Sequence, residues 1–146
     1  MQPSKHEIQK TKILIADDHE VMRLGIRNLL ESVGDWTVCA EAKNGKEAVE
    51  FALESPPDVI IMDINMPEMN GFEAAAKIAQ ECPQIPIIMF SLHLSDDIAG
   101  RFRTGSIRGT VAKNEAARDL LDAVKTVLSG GTFFPAAKSP GRNTTN

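Results

Sequence analysis

Five charged or hydroxyl side chains follow short apolar runs of the sequence: Asp17, Asp18, Asp63, Ser91 and Lys113. Clustered carboxylates repel one another, and a hard divalent cation that takes oxygen ligands, such as Mg²⁺, relieves that repulsion. An ammonium and a hydroxyl beside an attacking carboxylate would help to neutralise and align a transferring phosphoryl group. Attack by a carboxylate gives an acyl phosphate. These residue types predict metal-assisted phosphoryl transfer to Asp63.

The apolar runs before these side chains have the character of buried strands. The run Val59–Met62 places four apolar residues directly before Asp63, as expected at the centre of a parallel sheet. Apolar residues and chain breakers predict five strands in all: Lys12–Ala16, Trp36–Ala42, Val59–Met62, Pro86–Phe90 and residues 109–112.

Apolar residues at helical spacing follow each predicted strand. The predicted helices lie between Met22 and Val33, after Asn44, around Phe72–Ala79, across a weak stripe at 94–102, and over 117–128 with Asn114 as the expected cap. Strands that alternate with helices run parallel through right-handed crossovers, so we predict an α/β sandwich with helices on both faces. Ligands bind at the carboxyl edge of such sheets, where the five polar residues should meet.

Length and composition favour one domain. The chain has 146 residues, 42% of them hydrophobic, and its formal net charge of -4 argues against direct nucleic-acid binding. The sequence contains neither a membrane-length apolar run nor a secretory leader, so we expect a cytoplasmic protein without a membrane partner. Residues 1–10 are expected to form a flexible lead-in, and residues 132–146 a disordered tail or a linker stump.

Each polar residue taken alone has an ordinary alternative explanation. Asp18 could cap the first helix, Ser91 could belong to a turn, and Lys113 could be a solvated charge. The coincidence of all five at the ends of predicted strands favours the chemical interpretation.

Together these residues resemble the receiver domains of two-component response regulators. The resemblance covers about residues 11–131, and its motifs are Asp17-Asp18, the loop from Asp63 through Asn65 and Pro67 to Gly71, Ser91, and Lys113. It implies a flavodoxin-like, five-stranded parallel sheet of order 2-1-3-4-5.

The resemblance also implies a role for each matching position. Asp63 would accept a phosphoryl group from a sensor histidine kinase or a phosphotransfer protein, and Ser91 and Lys113 would contact the phosphoryl oxygens. The implied Mg²⁺ ligands are Asp18, Asp63 and the Asn65 carbonyl, with Asp17 acting through water. Such a protein would catalyse only its own phosphorylation and dephosphorylation, and a phosphorylation-dependent homodimer would be consistent with the family.

Two further segments are similar to the receivers of NarL/LuxR-type transcription factors: Asp17-Asp18-His19 with Val21–Gly25, and Gly130–Pro135. The resemblance therefore implies the regulatory half of such a factor, and a stand-alone receiver acting by protein contact is the alternative.

One position departs from the family pattern. Receivers usually carry an aromatic residue three positions before the lysine, where this chain has Thr110. Phe102, or a basic patch of Arg101, Arg103 and Arg108, could provide a contact surface instead, although solvated arginines are the simpler explanation.

An enzyme is the main rival hypothesis. A small metal-dependent phosphohydrolase would also use Asp63 as its nucleophile, but haloacid-dehalogenase-like phosphatases place a general acid two residues later. This chain has Asn65 there, which predicts poor turnover of external substrates.

Overall fold

The structure is a computed structural model that describes residues 9–92 and 105–135. Within them, five parallel strands form one sheet in the order β2-β1-β3-β4-β5, which confirms the predicted topology. The strands are β1 (Thr11–Ala16), β2 (Trp36–Ala42), β3 (Val59–Asp63), β4 (Ile87–Ser91) and β5 (Ile107–Ala112).

Four α-helices lie within the described residues: α1 (Glu20–Glu31), α2 (Gly45–Glu54), α3 (Gly71–Glu81) and α4 (Ala116–Leu128). None of these four has the length and apolar character that a membrane crossing requires. The helix predicted at 94–102 lies outside the described residues, as do Arg101, Phe102, Arg103, most of the predicted lead-in and residues 136–146.

Alternate side chains of the strands bury against opposite layers of helices, because successive residues of a strand point to opposite faces of the sheet. On one face Leu14 and Ile60 belong to a core that includes Ala48 of α2 and Ile78 of α3. On the other face the core includes strand residues and side chains from both α1 and α4. Helices therefore cover both faces of the sheet, as predicted.

The ends of several elements differ from the predictions. Asp63 is the last residue of β3 rather than the first residue after it, and β5 begins two residues earlier than expected, at Ile107. Asn44 caps α2 by accepting a hydrogen bond from Glu47 N. The expectation that Asn114 caps the last helix is wrong, because a 3-10 turn over Lys113–Glu115 precedes α4 and no side chain caps that helix.

The segment after α4 lies along the outer edge of β5. Phe133 N donates to Arg108 O at 2.9 Å, and Thr110 N donates to Phe133 O at 2.9 Å. Phe133 thereby forms a parallel bridge with Gly109, and Arg108 Nη2 also donates to Gly130 O at 3.0 Å. The predicted boundary between domain and tail at residue 131 falls inside this paired segment.

The pairing depends on a close approach of two backbones at Gly109. A Cβ atom added there would lie 2.9 Å from Phe133 O. We therefore expect Gly109→Ala to loosen the segment, to speed amide exchange at Thr110 and Phe133 in NMR spectra, and to cost about 1–3 kcal/mol of unfolding free energy.

Gly34→Ala is the matched control, because an added Cβ meets no atom within 4 Å there. We expect this variant to keep slow exchange at both amides and to be unchanged or up to about 1 kcal/mol more stable. Unchanged exchange in Gly109→Ala would contradict the pairing.

Candidate functional site

The register of the sheet brings the predicted site residues to one edge. Ala16 of β1 pairs with Met62 of β3, so the next residue of each chain segment, Asp17 and Asp63, lies at the same level of the sheet. Asp63 pairs with Phe90, which places Ser91 one residue further along β4. Ser91 in turn pairs with Ala112, the residue before Lys113. The parallel register therefore positions all four side chains at the carboxyl edge.

Lys113 connects the two buried carboxylates of this edge. Its Nζ lies 2.8 Å from Asp17 Oδ2 and 3.3 Å from Asp63 Oδ1. Asp17 is 0% exposed, Asp63 is 3% exposed and Lys113 is 8% exposed. The ammonium also lies 5.7 Å from the centre of the Phe90 ring, within cation–π range. The lysine is thus part of the site rather than a solvated charge.

The pKa of Asp63 is raised to about 6, chiefly by burial and next by the negative charge of Asp17, while Lys113 opposes both effects. One ammonium therefore does not neutralise this edge. The remaining negative charge is available to a second cation.

Asp18 and His19 complete the acidic side of the site. Asp17, Asp18, His19 and Asp63 each offer a ligand atom, and these four atoms lie within 4.8 Å of one another. Asp17 Oδ2 is buried, and the ammonium of Lys113 that contacts it is shared with Asp63. Crowded oxygen ligands and excess buried negative charge fit a hard divalent cation such as Mg²⁺. We refer to these four residues as the acidic pocket.

Arg23 holds the backbone between β1 and α1 in place. Its Nη1 donates to Asp17 O at 2.7 Å, and its Nε donates to Glu41 Oε1 at 3.0 Å. The Arg23 side chain is only 11% exposed, so these are partly buried, charge-assisted contacts. Arg23 thereby fixes the backbone that carries Asp17 and Asp18.

Two glycines secure the loop that follows Asp63. A Cβ on Gly71 would lie 2.1 Å from Asp63 O, and a Cβ on Gly45 would lie 2.2 Å from Met69 O. Either methyl group would displace the loop, so both positions require glycine. Within the same loop Glu68 has a φ of 68°, a left-handed conformation that costs a non-glycine residue of order 1 kcal/mol.

The start of α3 fixes the far end of this loop. Asn70 Oδ1 accepts from Glu73 N at 2.9 Å, and Glu73 Oε1 accepts from Asn70 N at 3.0 Å, which is a capping box. Asn65 lies between Asp63 and this cap, with its side chain exposed to solvent.

Comparison with known proteins identifies the family of this fold and site. The family model of the response regulator receiver domain matches residues 13–125. The chain belongs to the response regulator receiver family. Members of this family are signalling domains rather than conventional enzymes, they bind Mg²⁺ at an acidic pocket, and they work with sensor kinases.

Similar proteins include NarL/LuxR-type response regulators. The VraR protein of Staphylococcus aureus is 36% identical over 123 residues, which are 84% of this chain and 59% of VraR. The chain thus spans about three-fifths of the length of that relative.

Two solved structures extend the likeness to three dimensions. A LuxR-family response regulator from Aurantimonas has a TM-score of 0.81 and 30% identity, over 85% of this chain and 89% of that one. The isolated receiver domain of RcsB from Salmonella enterica, in the presence of phosphomimetic BeF3-, has a TM-score of 0.79 and 26% identity, over 87% of this chain and 94% of its own.

Sequence reasoning missed two residues that this receiver places at its site. His19 directly follows Asp17-Asp18, and its Nδ1 lies 3.0 Å from Asp17 Oδ1. Arg23 lies one helical turn beyond His19, on the side of α1 that faces Glu41. Adjacency in the sequence could have indicated His19, whereas the contacts of Arg23 depend on the packing of α1 against β2.

The raised pKa of Asp63 makes the stability of this receiver depend on pH. In the unfolded chain the carboxyl ionises near pH 3.8, and in the folded protein near pH 6. Between these values the folded state holds the proton more tightly, so in metal-free buffer the free energy of unfolding should fall as pH rises from about 4 to about 6.

Asp63→Asn should remove this dependence. We expect the variant to be more stable than the natural protein by up to about 3 kcal/mol above pH 6, and equally stable near pH 4. Urea denaturation at each pH measures the difference. Glu50→Gln, at an exposed carboxyl of α2, is the control and should not alter the pH profile. Parallel profiles for Asp63→Asn and the natural protein would contradict this explanation.

Proposed function

We propose that this receiver is a phosphorylation-activated switch in which Asp63 accepts a phosphoryl group from the phosphohistidine of a sensor kinase or a phosphotransfer protein. The observation that carries the proposal is the position of Lys113 Nζ, 2.8 Å from Asp17 and 3.3 Å from Asp63 at the carboxyl edge of the sheet. A buried ammonium beside a buried carboxylate suits a site where negative charge is added.

The proposed reaction needs only the phosphohistidine of the donor and the carboxylate of Asp63. An Oδ atom of Asp63 attacks phosphorus, the bond between phosphorus and the donor imidazole breaks, and its electron pair leaves with the imidazole nitrogen. The product is an acyl phosphate on Asp63. Lys113 then has a phosphoryl oxygen to pair with, and the Ser91 hydroxyl is proposed as a second donor to that group.

We assign Asp17, Asp18, Asp63 and the Asn65 carbonyl to the binding of Mg²⁺, with Asp17 acting through water. When bound, the ion neutralises charge on the phosphoryl oxygens as they approach the carboxylates. The chain's own residues contribute the rest: Arg23 fixes the loop after β1, and Gly71 fixes the loop after β3.

The likeness to VraR and to LuxR-family regulators supports a larger role for this receiver. We propose that it is the regulatory half of a LuxR-type transcription factor acting in the cytoplasm, and that phosphorylation favours a homodimer. Under this proposal the receiver does not itself contact DNA. A stand-alone receiver that acts through protein contacts is the alternative, and the reading frame beyond Asn146 distinguishes the two.

Labelling with acetyl phosphate and Mg²⁺ tests the phosphoacceptor. Intact-mass spectrometry should show the gain of one phosphoryl group per chain, and Asp63→Asn should abolish it. Asp58→Asn is the matched control, because Asp58 precedes the opposite end of the same strand and accepts a hydrogen bond from Lys12 N at 2.7 Å. Labelling that persists in Asp63→Asn at another residue would overturn the assignment.

The same incubation separates the switch from a phosphohydrolase. A switch forms one slowly decaying acyl phosphate per chain, whereas an enzyme releases phosphate steadily over many turnovers. Steady release that requires Asp63 would replace this proposal by the enzymatic one.

Lys113 is proposed to report the phosphoryl group rather than to accept it. We expect Lys113→Ala to keep most of the acetyl phosphate labelling but to reduce the change in amide hydrogen exchange that BeF3- and Mg²⁺ induce in β4 and β5. Lys125→Ala, at an exposed lysine of α4, should respond like the natural protein. A full response in Lys113→Ala would remove the lysine from this role.

A further inference from the structure

We propose that His19 is a fourth side-chain ligand of the acidic pocket, and that its imidazole favours transition-metal ions over Mg²⁺ there. The inference rests on the proposed function, because it concerns the same metal site. It adds a nitrogen donor to a ligand set that otherwise contains only oxygen.

The position of the imidazole supports this role. His19 Nδ1 lies 3.0 Å from Asp17 Oδ1 and 3.1 Å from Asp18 Oδ1. Two atoms that bind one ion at right angles, each about 2.1 Å from it, lie about 3.0 Å apart. The distance between His19 Nδ1 and Asp18 Oδ1 is therefore that of two neighbouring ligands of one ion, while Asp17, which acts through water, contacts the same nitrogen.

The backbone holds His19 in this position. His19 N donates to Asp17 Oδ1 at 2.9 Å, so the main chain and the ring of His19 both face the same carboxylate. The His19 side chain is nevertheless 67% exposed, which leaves room for an ion and its waters to enter from solvent. Ring orientation and access are both compatible with direct coordination.

A second observation is that the charge of the buried carboxylates is not balanced by Lys113 alone. Asp17 Oδ2 is buried, and the ammonium of Lys113 that lies 2.8 Å from it is shared with Asp63 Oδ1 at 3.3 Å. In the metal-free protein, a hydrogen on His19 Nδ1 can lie between the two acceptor oxygens. An incoming ion would take its place, and the ring would adopt the tautomer with its hydrogen on Nε2.

The nitrogen donor changes which ions the pocket prefers. Mg²⁺ takes oxygen ligands and keeps several waters, whereas imidazole suits Co²⁺, Ni²⁺ and Zn²⁺. With its imidazole the pocket should therefore bind Co²⁺ more tightly than its oxygen ligands alone would. Its affinity for Mg²⁺ should depend little on His19.

Pulsed electron paramagnetic resonance of the full chain with Mn²⁺ tests the coordination directly. We expect nitrogen modulation from a directly bound imidazole in the natural protein and its loss in His19→Ala. The sequence has two other histidines, so His6→Ala and His93→Ala are the matched controls and should keep the modulation.

Titration calorimetry with Co²⁺ and Mg²⁺ provides the second measurement. His19→Ala should weaken Co²⁺ binding about tenfold and change Mg²⁺ affinity less than about twofold, since loss of one neutral donor matters most to ions that prefer nitrogen. Equal loss for both ions would mean that His19 only orients the carboxylates, which overturns the inference.

The possible results separate this inference from the proposed function. Mn²⁺ binding without nitrogen modulation, or modulation that survives in His19→Ala, overturns the role of His19 and leaves the switch intact. Failure of the natural protein to bind either Mn²⁺ or Mg²⁺ overturns both. Modulation lost only in His19→Ala supports the ligand.

Discussion

The carboxyl edge of this sheet buries more negative than positive charge. Asp17 and Asp63 are almost completely buried, Asp18 stands beside them, and Lys113 supplies the one ammonium that contacts the buried pair among the described residues. Burying unbalanced charge is costly, and the raised pKa of Asp63 is one expression of that cost. The excess negative charge favours the binding of a cation. A bound cation and Lys113 together provide positive charge with which a phosphoryl group can pair.

Most other features of this edge keep the charged groups from moving apart. Arg23 and Glu41 hold the backbone after β1, and close backbone approaches at Gly45 and Gly71 hold the loop after β3. The strained φ of Glu68 is tolerated because the capping box at Asn70 and these contacts determine the path of the loop. These contacts constrain the backbone around Asp63, as a preorganised electrostatic site requires.

The β5 edge connects this chemistry to the chain that follows α4. Thr110, which occupies the position of the usual aromatic residue, is 3% exposed and donates its N–H to Phe133 O at 2.9 Å. Lys113 lies three residues after Thr110, directly beyond the end of β5. A shift of β5 would therefore move the backbone partner of Phe133, and an aromatic side chain at residue 110 is not needed for that mechanical link.

The sequence by itself determined the alternation of strands and helices, the apolar core and the identity of most polar residues at the site. Patterns with periods of 2 and 3.6 residues encode burial locally, and the acidic pair, Asp63, Ser91 and Lys113 each follow an apolar run. Only the tertiary structure decided how far apart these groups lie, that His19 and Arg23 join them, that Asn114 does not cap α4, and that Phe133 pairs with β5. The physical reason is that charge interactions and backbone pairing depend on distances between segments remote in sequence, which local patterns do not contain.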